Sequence, residues 1–209
     1  MSDTVNARPN HGCLFDIASE QSGFFTVDQA HTCNFTWRTL LYHTHRGRFR
    51  HIRRGLYRLR DFPLSPHEDI VAAWLAAGRD ASVISHESAL DLLELADVIP
   101  NAIHLTVPRS RRGLTVPSGT RVHTSGKPLL PDEVITIDGI RVTTAARTIV
   151  DVTEADLAPD QVELAIANAL SRGIATPDEL AEQAARRGRR VAEEIKRVLR
   201  MAKQQAAAS

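Results

Sequence analysis

Arginine is concentrated in one short segment of the sequence. The stretch RFRHIRRGLYRLRDFP, residues 48–63, places six arginines in the thirteen positions from Arg48 to Arg60. A guanidinium group is planar and can donate two parallel hydrogen bonds to a phosphate or to the base edge of guanine. The segment therefore predicts a surface that binds nucleic acid. Two alternatives stay open: a solvated basic hairpin, and an RNA-binding surface, although no aromatic-rich sheet for stacking unpaired bases is evident.

The charge of the chain is divided unevenly along the sequence. Over all 209 residues the formal net charge is only +1. Residues 1–62 carry nine arginines against five acidic residues, a net of +4, whereas residues 63–209 carry 17 basic against 20 acidic residues, a net of −3. Between Thr36 and Arg60 there are eight arginines and no acidic residue. This division predicts a module that binds a polyanion, joined to a second domain.

Three short helices are predicted before the arginine-rich segment. Their apolar spacing places them at about 14–23, 26–33 and 35–46. Thr26 is a suitable N-cap for the second helix, and Gly47 suits the left-handed position at the end of the third.

A β-hairpin is predicted after the third helix. Its strands lie at about 49–52 and 56–59, and Gly55 provides the backbone freedom of a tight turn. Three helices and then a basic hairpin are the plan of a winged helix-turn-helix domain, whose third helix enters the major groove. The hairpin then forms a wing, and Arg53 and Arg54 at its tip can reach phosphates or the minor groove.

The third helix is predicted to have one packing face and one binding face. At about 100° per residue, one arc of the helix holds its apolar and small residues. This arc consists of Trp37, Leu40, Leu41 and Thr44. The opposite arc consists of Arg38, Tyr42, His45 and Arg46. The second arc is suited to contact an anionic partner.

The sequence predicts no metal site and no cofactor. His43, His45 and His51 lie close in sequence, but no cysteine or carboxylate completes a ligand set there. Cys13 and Cys33 have no metal-ligand spacing and are expected to be reduced residues of the core.

Neither a targeting segment nor a membrane segment is predicted. The N-terminus holds no apolar run of the signal-peptide type, and the longest hydrophobic stretch, IVAAWLAAG, is too short to span a bilayer. The cytoplasm is therefore the expected location.

The rest of the chain, residues 63–209, is predicted to be mixed α/β to about 157 and helical from about 158, so the fold class is α+β. Helices are expected from Ser65, with Glu68 closing a capping box, and at 85–95 with Ser85 as the N-cap. Strands, a hairpin turning at Asp138-Gly139, and four more helices are expected after them. Their predicted positions are 102–108 and about 120–124 for strands, 133–143 for the hairpin, and Thr143 or Thr144 onward, 159–171, 177–186 and 188–203 for helices.

This second region shows no catalytic signature. It has no phosphate-binding glycine loop, no zinc spacing, and no nucleophile beside a base. A nuclease site could be sought at Asp160 and Glu194, but both residues fall in helical periodicity rather than at strand ends. Asp151 likewise has the spacing of a solvated helix residue. The prediction is that the protein is not an enzyme.

Three motifs together resemble the AbiEi family of antitoxins from type IV toxin–antitoxin systems. They are RFRHIRRGLYRL in the wing, SHESALDLLEL with IHLTVP after it, and DGIRVTTAARTIVDV. With the opening helices they cover residues 14–152, and their order is more specific than any one of them alone. Some relatives carry a nuclease-like extension after the RTIVDV helix. This chain has helices there instead, so the resemblance does not imply that activity.

The resemblance implies two domains with two roles. A winged helix-turn-helix at 1–62 would bind inverted repeats in its own promoter and repress the operon. The antitoxin domain at 63–209 would counter a cognate AbiEii-like nucleotidyltransferase toxin. The DNA-facing residues implied are Arg38, Tyr42, Arg46, Arg48, Arg50, Arg53, Arg54 and Arg58. Because an inverted repeat has two half-sites, two copies of the protein are expected on one operator.

The resemblance gives no motif for the residues that neutralise the toxin. The clustered residues Arg109, Arg111 and Arg112 are a candidate, with an ordinary solvated loop as the alternative. Two other functions also stay open: a plain winged-helix regulator whose second domain senses a ligand or dimerises, and a nuclease.

Overall fold

The chain folds into two compact units. The computed structural model describes residues 8–208, and side-chain surroundings up to residue 204. The first unit runs from the first described residue to Arg79 and includes Asp138–Ile140, and the second holds the rest of the described chain. The boundary thus lies after Arg79, whereas the sequence places it after residue 62.

The first unit has the element order of a winged helix. Its elements are α1 (His11–Ser19), β1 (Phe24–Thr26), α2 (Val27–Thr32), α3 (Trp37–His45), β2 (Phe49–Arg53), β3 (Leu56–Leu59) and α4 (Glu68–Ala77). The three helices and the hairpin are present in the predicted order, but α1 begins three residues before and ends four residues before its predicted bounds of 14–23. Strand β1 is not predicted, because three residues are too few to show an alternating pattern. It pairs antiparallel with β3, and the sheet order is β1-β3-β2.

The two cysteines form a disulfide in this unit, which corrects the expectation that they are reduced. Phe25, Phe35 and Phe49 are buried in the core around which α1 and α2 pack. That packing brings the Cα atoms of Cys13 and Cys33 to 5.7 Å, within the span of a disulfide. The two residues are 20 positions apart, so their spacing gives no sign of the pairing.

Helix α4 belongs to the first unit rather than opening the second. It contacts β1 and β3 and buries Trp74 together with most of its apolar residues. The helix begins at Glu68, three residues after the predicted N-cap Ser65. The Ser65 backbone N–H still donates to the Glu68 carboxylate, at 3.1 Å, as half of the predicted capping box.

The second unit combines a mixed sheet with five helices. Its elements are β4 (Val83–Ile84), α5 (His86–Leu92), β5 (Ile103–Pro108), β6 (Thr120–Ser125), β7 (Val134–Ile137), β8 (Ile140–Thr143), α6 (Ala145–Glu154), α7 (Pro159–Ser171), α8 (Pro177–Arg187) and α9 (Arg189–Ala208). The sheet order is β6-β5-β4-β8-β7, with β5 and β6 parallel. Asp138 and Gly139, both with positive φ, connect β7 to β8, as the Asp-Gly pair predicts.

One apolar core holds the helices of this unit together. It is formed by side chains of all five helices, among them Leu90, Ile149, Ile166, Leu180 and Ile195. The sequence locates α7, α8 and α9 closely, because proline at the first turn marks where α7 and α8 begin and regular apolar spacing marks the buried face of α9. Within residues 8–208, no helix is both long enough and apolar enough to cross a membrane.

Candidate DNA-binding surface and a histidine-lined cavity

Helix α3 is held firmly at its N-terminus. The Thr36 hydroxyl accepts from the Thr39 backbone N–H, and the Thr39 hydroxyl accepts in turn from the Thr36 N–H, at 3.2 and 2.8 Å. This reciprocal cap satisfies two backbone donors that the helix cannot satisfy itself. Leu40, on the inward side of this helix, is completely buried. The N-terminal half of α3 is therefore fixed in orientation on the unit's surface.

The packing face of α3 differs from the prediction. Trp37 and Leu41, expected to pack inward, are 62% and 42% exposed, while His43 is buried. His43 packs against the rings of Phe35 and Phe49, which turns that side of the helix inward. Burial lowers the pKa of His43, with smaller contributions from charges at His11 and Arg48. Its imidazole is neutral at pH 7 and adds no charge to the surface.

The outward face of α3 presents both basic and aromatic groups. Arg38 and His45 are exposed, and Tyr42 is 54% exposed. The Nε atom of Arg46 donates to the Tyr42 hydroxyl at 3.3 Å, and its guanidinium carbon lies 5.6 Å from the Tyr42 ring centroid. This contact orients Arg46 before any ligand binds, so the helix offers a preformed donor surface.

The wing is formed by β2 and β3 and extends the same basic character. Arg48, Arg50 and Arg54 are exposed, and Arg53 is half-buried. Gly55, with φ +80°, completes the turn at the tip, where an added Cβ would meet no atom within 4 Å. The unusual backbone, not crowding, therefore calls for glycine there.

Arg58 does not belong to this surface, which corrects its predicted role in DNA contact. It is 2% exposed and forms an ion pair with Glu68, and its Nη2 donates to the Pro63 carbonyl at 2.9 Å. The Phe24 ring centroid lies 5.5 Å from its guanidinium carbon. Arg58 lies in the central strand of the sheet and holds α4 rather than facing solvent.

The three arginines proposed for toxin contact lie in the second unit at the end of β5. Arg109 and Arg111 are in a single 3₁₀ turn, and Arg112 comes directly after it. All three are exposed. Their position on a short exposed turn agrees with the predicted loop placement and leaves their role open.

A cavity of about 340 Å³ lies elsewhere in the second unit. Its walls include His86 and His123 together with Arg147, Asp151 and Arg187. His123 lies in β6, directly opposite Thr106 of the parallel strand β5. Three different elements, α5, β6 and α6, together with the end of α8, therefore bring titratable side chains to one place.

Three histidines meet at one side of this cavity. The rings of His86 and His123 stack with centroids 3.5 Å apart and planes 13° from parallel. His123 Nε2 lies 3.3 Å from Nδ1 of His104, which is 2% exposed. Taken one nitrogen from each ring, the three potential ligand atoms lie within 4.8 Å of one another. In the part of the chain that is described, this is the one group of three His, Cys, Asp or Glu side chains with metal-ligand spacing.

Burial keeps these imidazoles neutral. The pKa of His86 falls to about 2, first through burial and then through repulsion from His123 and His104. Burial and the charge of His104 lower the pKa of His123 to about 4. The pKa of His104 is also lowered, chiefly by burial, although Glu87 opposes the shift. Each ring therefore has a free nitrogen lone pair at pH 7.

A buried ion-pair network forms another wall of the cavity. Arg147 Nε lies 2.9 Å from both carboxylate oxygens of Asp151, and its Nη1 lies 2.9 Å from Glu133. Arg187 also pairs with Asp151 and lies 3.4 Å from Glu154. Burial raises the pKa of Asp151, and the two guanidinium groups oppose that shift. Asp151 is thus a buried network residue and not the solvated acid that its helical spacing indicates.

Both units match family models. Residues 14–60 match a model described as transcriptional regulator, AbiEi antitoxin, and residues 81–201, more than half of the chain, match the AbiEi antitoxin C-terminal domain. The chain belongs to the AbiEi antitoxin family. As an AbiEi antitoxin it combines an antitoxin role with that of a DNA-binding transcriptional regulator.

The fold of this AbiEi antitoxin is also found in a solved structure. The RV2827C protein from Mycobacterium tuberculosis aligns over 89% of this chain and 74% of its own length, with a TM-score of 0.58. The two sequences are 13% identical, so the likeness concerns the fold alone. No curated protein matches the sequence.

Sequence reasoning finds the arginine-rich surface of the antitoxin but not its histidine cluster. The three histidines are 18 and 19 residues apart and lie on three elements, so no local motif joins them. One signal was available in the strand IHLTVP. His104 is the first of four consecutive residues that are all buried, and a buried imidazole needs a polar partner.

Proposed function

We propose that this antitoxin represses its own promoter through the winged-helix unit and counters a cognate AbiEii-like nucleotidyltransferase toxin in a type IV system. The observation that carries the DNA-binding half is the exposure of Arg38, Arg48, Arg50 and Arg54 in a stretch without acidic residues. The N-terminal half of α3 reads base edges in the major groove. The wing contacts phosphates. Two copies bind the two halves of an inverted repeat.

Replacing the arginines at the wing tip tests the DNA-binding half. We expect the full-length variant Arg53→Ala/Arg54→Ala to bind promoter and unrelated DNA more weakly, because phosphate contacts carry no sequence information. The slope of log K against log salt should become shallower by up to about 2 units, since each lost phosphate contact releases about 0.9 fewer counterions. Fluorescence anisotropy over a series of salt concentrations measures both quantities.

A matched pair of surface arginines serves as the control. Arg189→Ala/Arg200→Ala removes the same charge from exposed positions of α9 and should leave both the affinity and the salt slope unchanged. Wild-type affinity in the wing variant, or an equal loss in the α9 variant, would contradict the assignment of the wing to DNA.

The antitoxin half is tested by growth. We expect the full-length protein, co-expressed with the neighbouring nucleotidyltransferase, to restore growth, and the wing variant Arg53→Ala/Arg54→Ala to restore it equally well. If the turn after β5 contacts the toxin, Arg109→Ala/Arg111→Ala/Arg112→Ala should lose rescue, and the same triple change to lysine should keep part of it. Soluble expression is compared by immunoblot. A toxic neighbour that even the wild-type protein fails to counter would refute the antitoxin pairing and leave the DNA-binding half standing.

A second candidate function is supported by one observation. The polar cavity of about 340 Å³ in the second unit is suited to a ligand. A regulator that senses a ligand through this unit would release DNA when that ligand binds, and it would need no toxin.

A further inference from the structure

Two nitrogens of the histidine cluster have the separation of two ligands of one metal ion. In a tetrahedral zinc site with Zn–N bonds of about 2.0–2.1 Å, two ligand nitrogens lie about 3.3–3.4 Å apart. The separation of His104 Nδ1 from His123 Nε2 is 3.3 Å. His86 is the third member, with a ligand nitrogen within 4.8 Å of the others. The His86 ring stacks on His123 in this structure, so metal binding requires that His86 reorient to aim its nitrogen at the ion.

Hydrogen bonding alone leaves this cluster incompletely satisfied. Nδ1 of His104 faces another histidine nitrogen, and its Nε2 is buried with no hydrogen-bond partner among the described residues. A metal ion between His104 and His123 would accept the lone pairs of the two facing nitrogens, Nδ1 of His104 and Nε2 of His123; it would not give Nε2 of His104 a partner, and that atom would carry the ring proton.

Neighbouring hydroxyl groups support the position of His86. Ser85 Oγ lies 3.0 Å from His86 Nδ1, and Thr106 Oγ1 donates to the same Ser85 oxygen at 2.8 Å. Metal-binding histidines commonly donate the N–H of the other ring nitrogen to such a partner, which fixes the tautomer and the ring plane. Ser85, predicted only as a helix cap, makes no capping hydrogen bond to α5.

The backbone conformation of His86 is also unusual, and it too supports the histidine cluster. Its φ is +53°, a left-handed conformation that is rare for residues other than glycine and is found where the surroundings require it. Here it begins α5 and places the ring against His123. His104 and His123 lie on paired parallel strands, so two of the three ligands are on a rigid support.

We propose that His86, His104 and His123 bind one divalent transition-metal ion, for which zinc is the best fit. Three imidazole nitrogens suit zinc, and three protein ligands leave a fourth coordination position open. His86 and His123 line the cavity, so the open position faces the space that Arg147 and Arg187 also line. A water molecule or a small anion fits there. Neither cysteine can take part, since both are in the disulfide.

Metal binding to the tag-free, full-length protein tests the proposal without DNA or toxin. We expect about one equivalent of Zn²⁺ by competition with a chromophoric chelator after treatment with EDTA. Co²⁺ alone should give the intense visible bands of a tetrahedral nitrogen-ligand site. His86→Ala and His123→Ala, on the cavity wall, should each lower the Zn²⁺ affinity at least about tenfold and abolish the Co²⁺ bands. Ser85→Ala should lower the affinity by about 10–100-fold, as loss of a supporting hydrogen bond does.

Two exposed histidines of the wing region provide the matched control. His45→Ala/His51→Ala should keep full stoichiometry and the Co²⁺ spectrum, because both residues lie in the first unit. Loss of binding in that variant, retention of binding in His86→Ala and His123→Ala, or a wild-type protein that gives no tetrahedral Co²⁺ spectrum would each overturn the proposal. The wild-type spectrum decides the matter even if a cluster variant fails to fold.

Discussion

Arg147→Ala is expected to lower the free energy of unfolding of the second unit by about 3–5 kcal/mol, the range found when one partner of a buried ion pair is removed. Arg147 is 4% exposed and pairs with both Asp151 and Glu133, which are 1% and 6% exposed. The substitution leaves Asp151 with Arg187 as its remaining ion-pair partner. Glu133 keeps only Arg186, at 3.9 Å, among the described ion pairs. Both carboxylates then stay buried with fewer cationic partners, and burying an incompletely paired charge costs free energy.

The measurement must distinguish unfolding of the first unit from unfolding of the second. The only tryptophans, Trp37 and Trp74, lie in the first unit, so their fluorescence does not follow unfolding of the second. Circular dichroism at 222 nm reports the helices of both units, so a loss of stability seen by circular dichroism but not by tryptophan fluorescence in urea titrations belongs to the second unit. Arg189→Ala, whose partner Glu193 is also exposed, should change stability by less than about 0.5 kcal/mol. Equal effects of the two substitutions would contradict the buried-network account.

Much of this fold follows from local sequence signals. Thr26 caps α2 as its residue type predicts, proline lies at the first turn of α7 and α8, and Asp138-Gly139 forms the turn that its residue types require. The strands that escape prediction are β1 and β4, of three and two residues. They exist because a neighbouring strand offers hydrogen bonds, and no alternating pattern can appear over such a length.

Residues that act through distant partners could not be placed from sequence. Asp151 has the helical spacing of a surface acid, yet Arg187, 36 positions away, makes it a buried network residue. Leu41 has the spacing of a packed residue, yet aromatic side chains around His43 turn α3 so that Leu41 is exposed. In each case a contact between different elements determines whether the residue is buried. The relative placement of those elements is known only from the folded structure.

A pair of arginines on one hairpin should behave in opposite ways. Arg50 and Arg58 face each other in the β2–β3 register, and directly opposed residues of an antiparallel pair project from the same side of a sheet. Strand β2 lies at the edge of the sheet, so Arg50 is exposed. Strand β3 is central and contacts α4, so Arg58 is enclosed between Phe24 and Glu68.

We therefore expect Arg58→Ala to lower the free energy of unfolding of the first unit by about 3 kcal/mol, because Glu68 loses its buried partner. Trp74 fluorescence, in a Trp37→Phe background, measures the loss. Arg50→Ala should leave stability within about 0.5 kcal/mol and weaken DNA binding instead. Arg58→Met/Glu68→Met should recover most of the stability, since apolar side chains can replace a buried pair. If the Arg58→Ala protein had normal stability and no longer bound DNA, Arg58 would be a DNA-contact residue, as the sequence predicts.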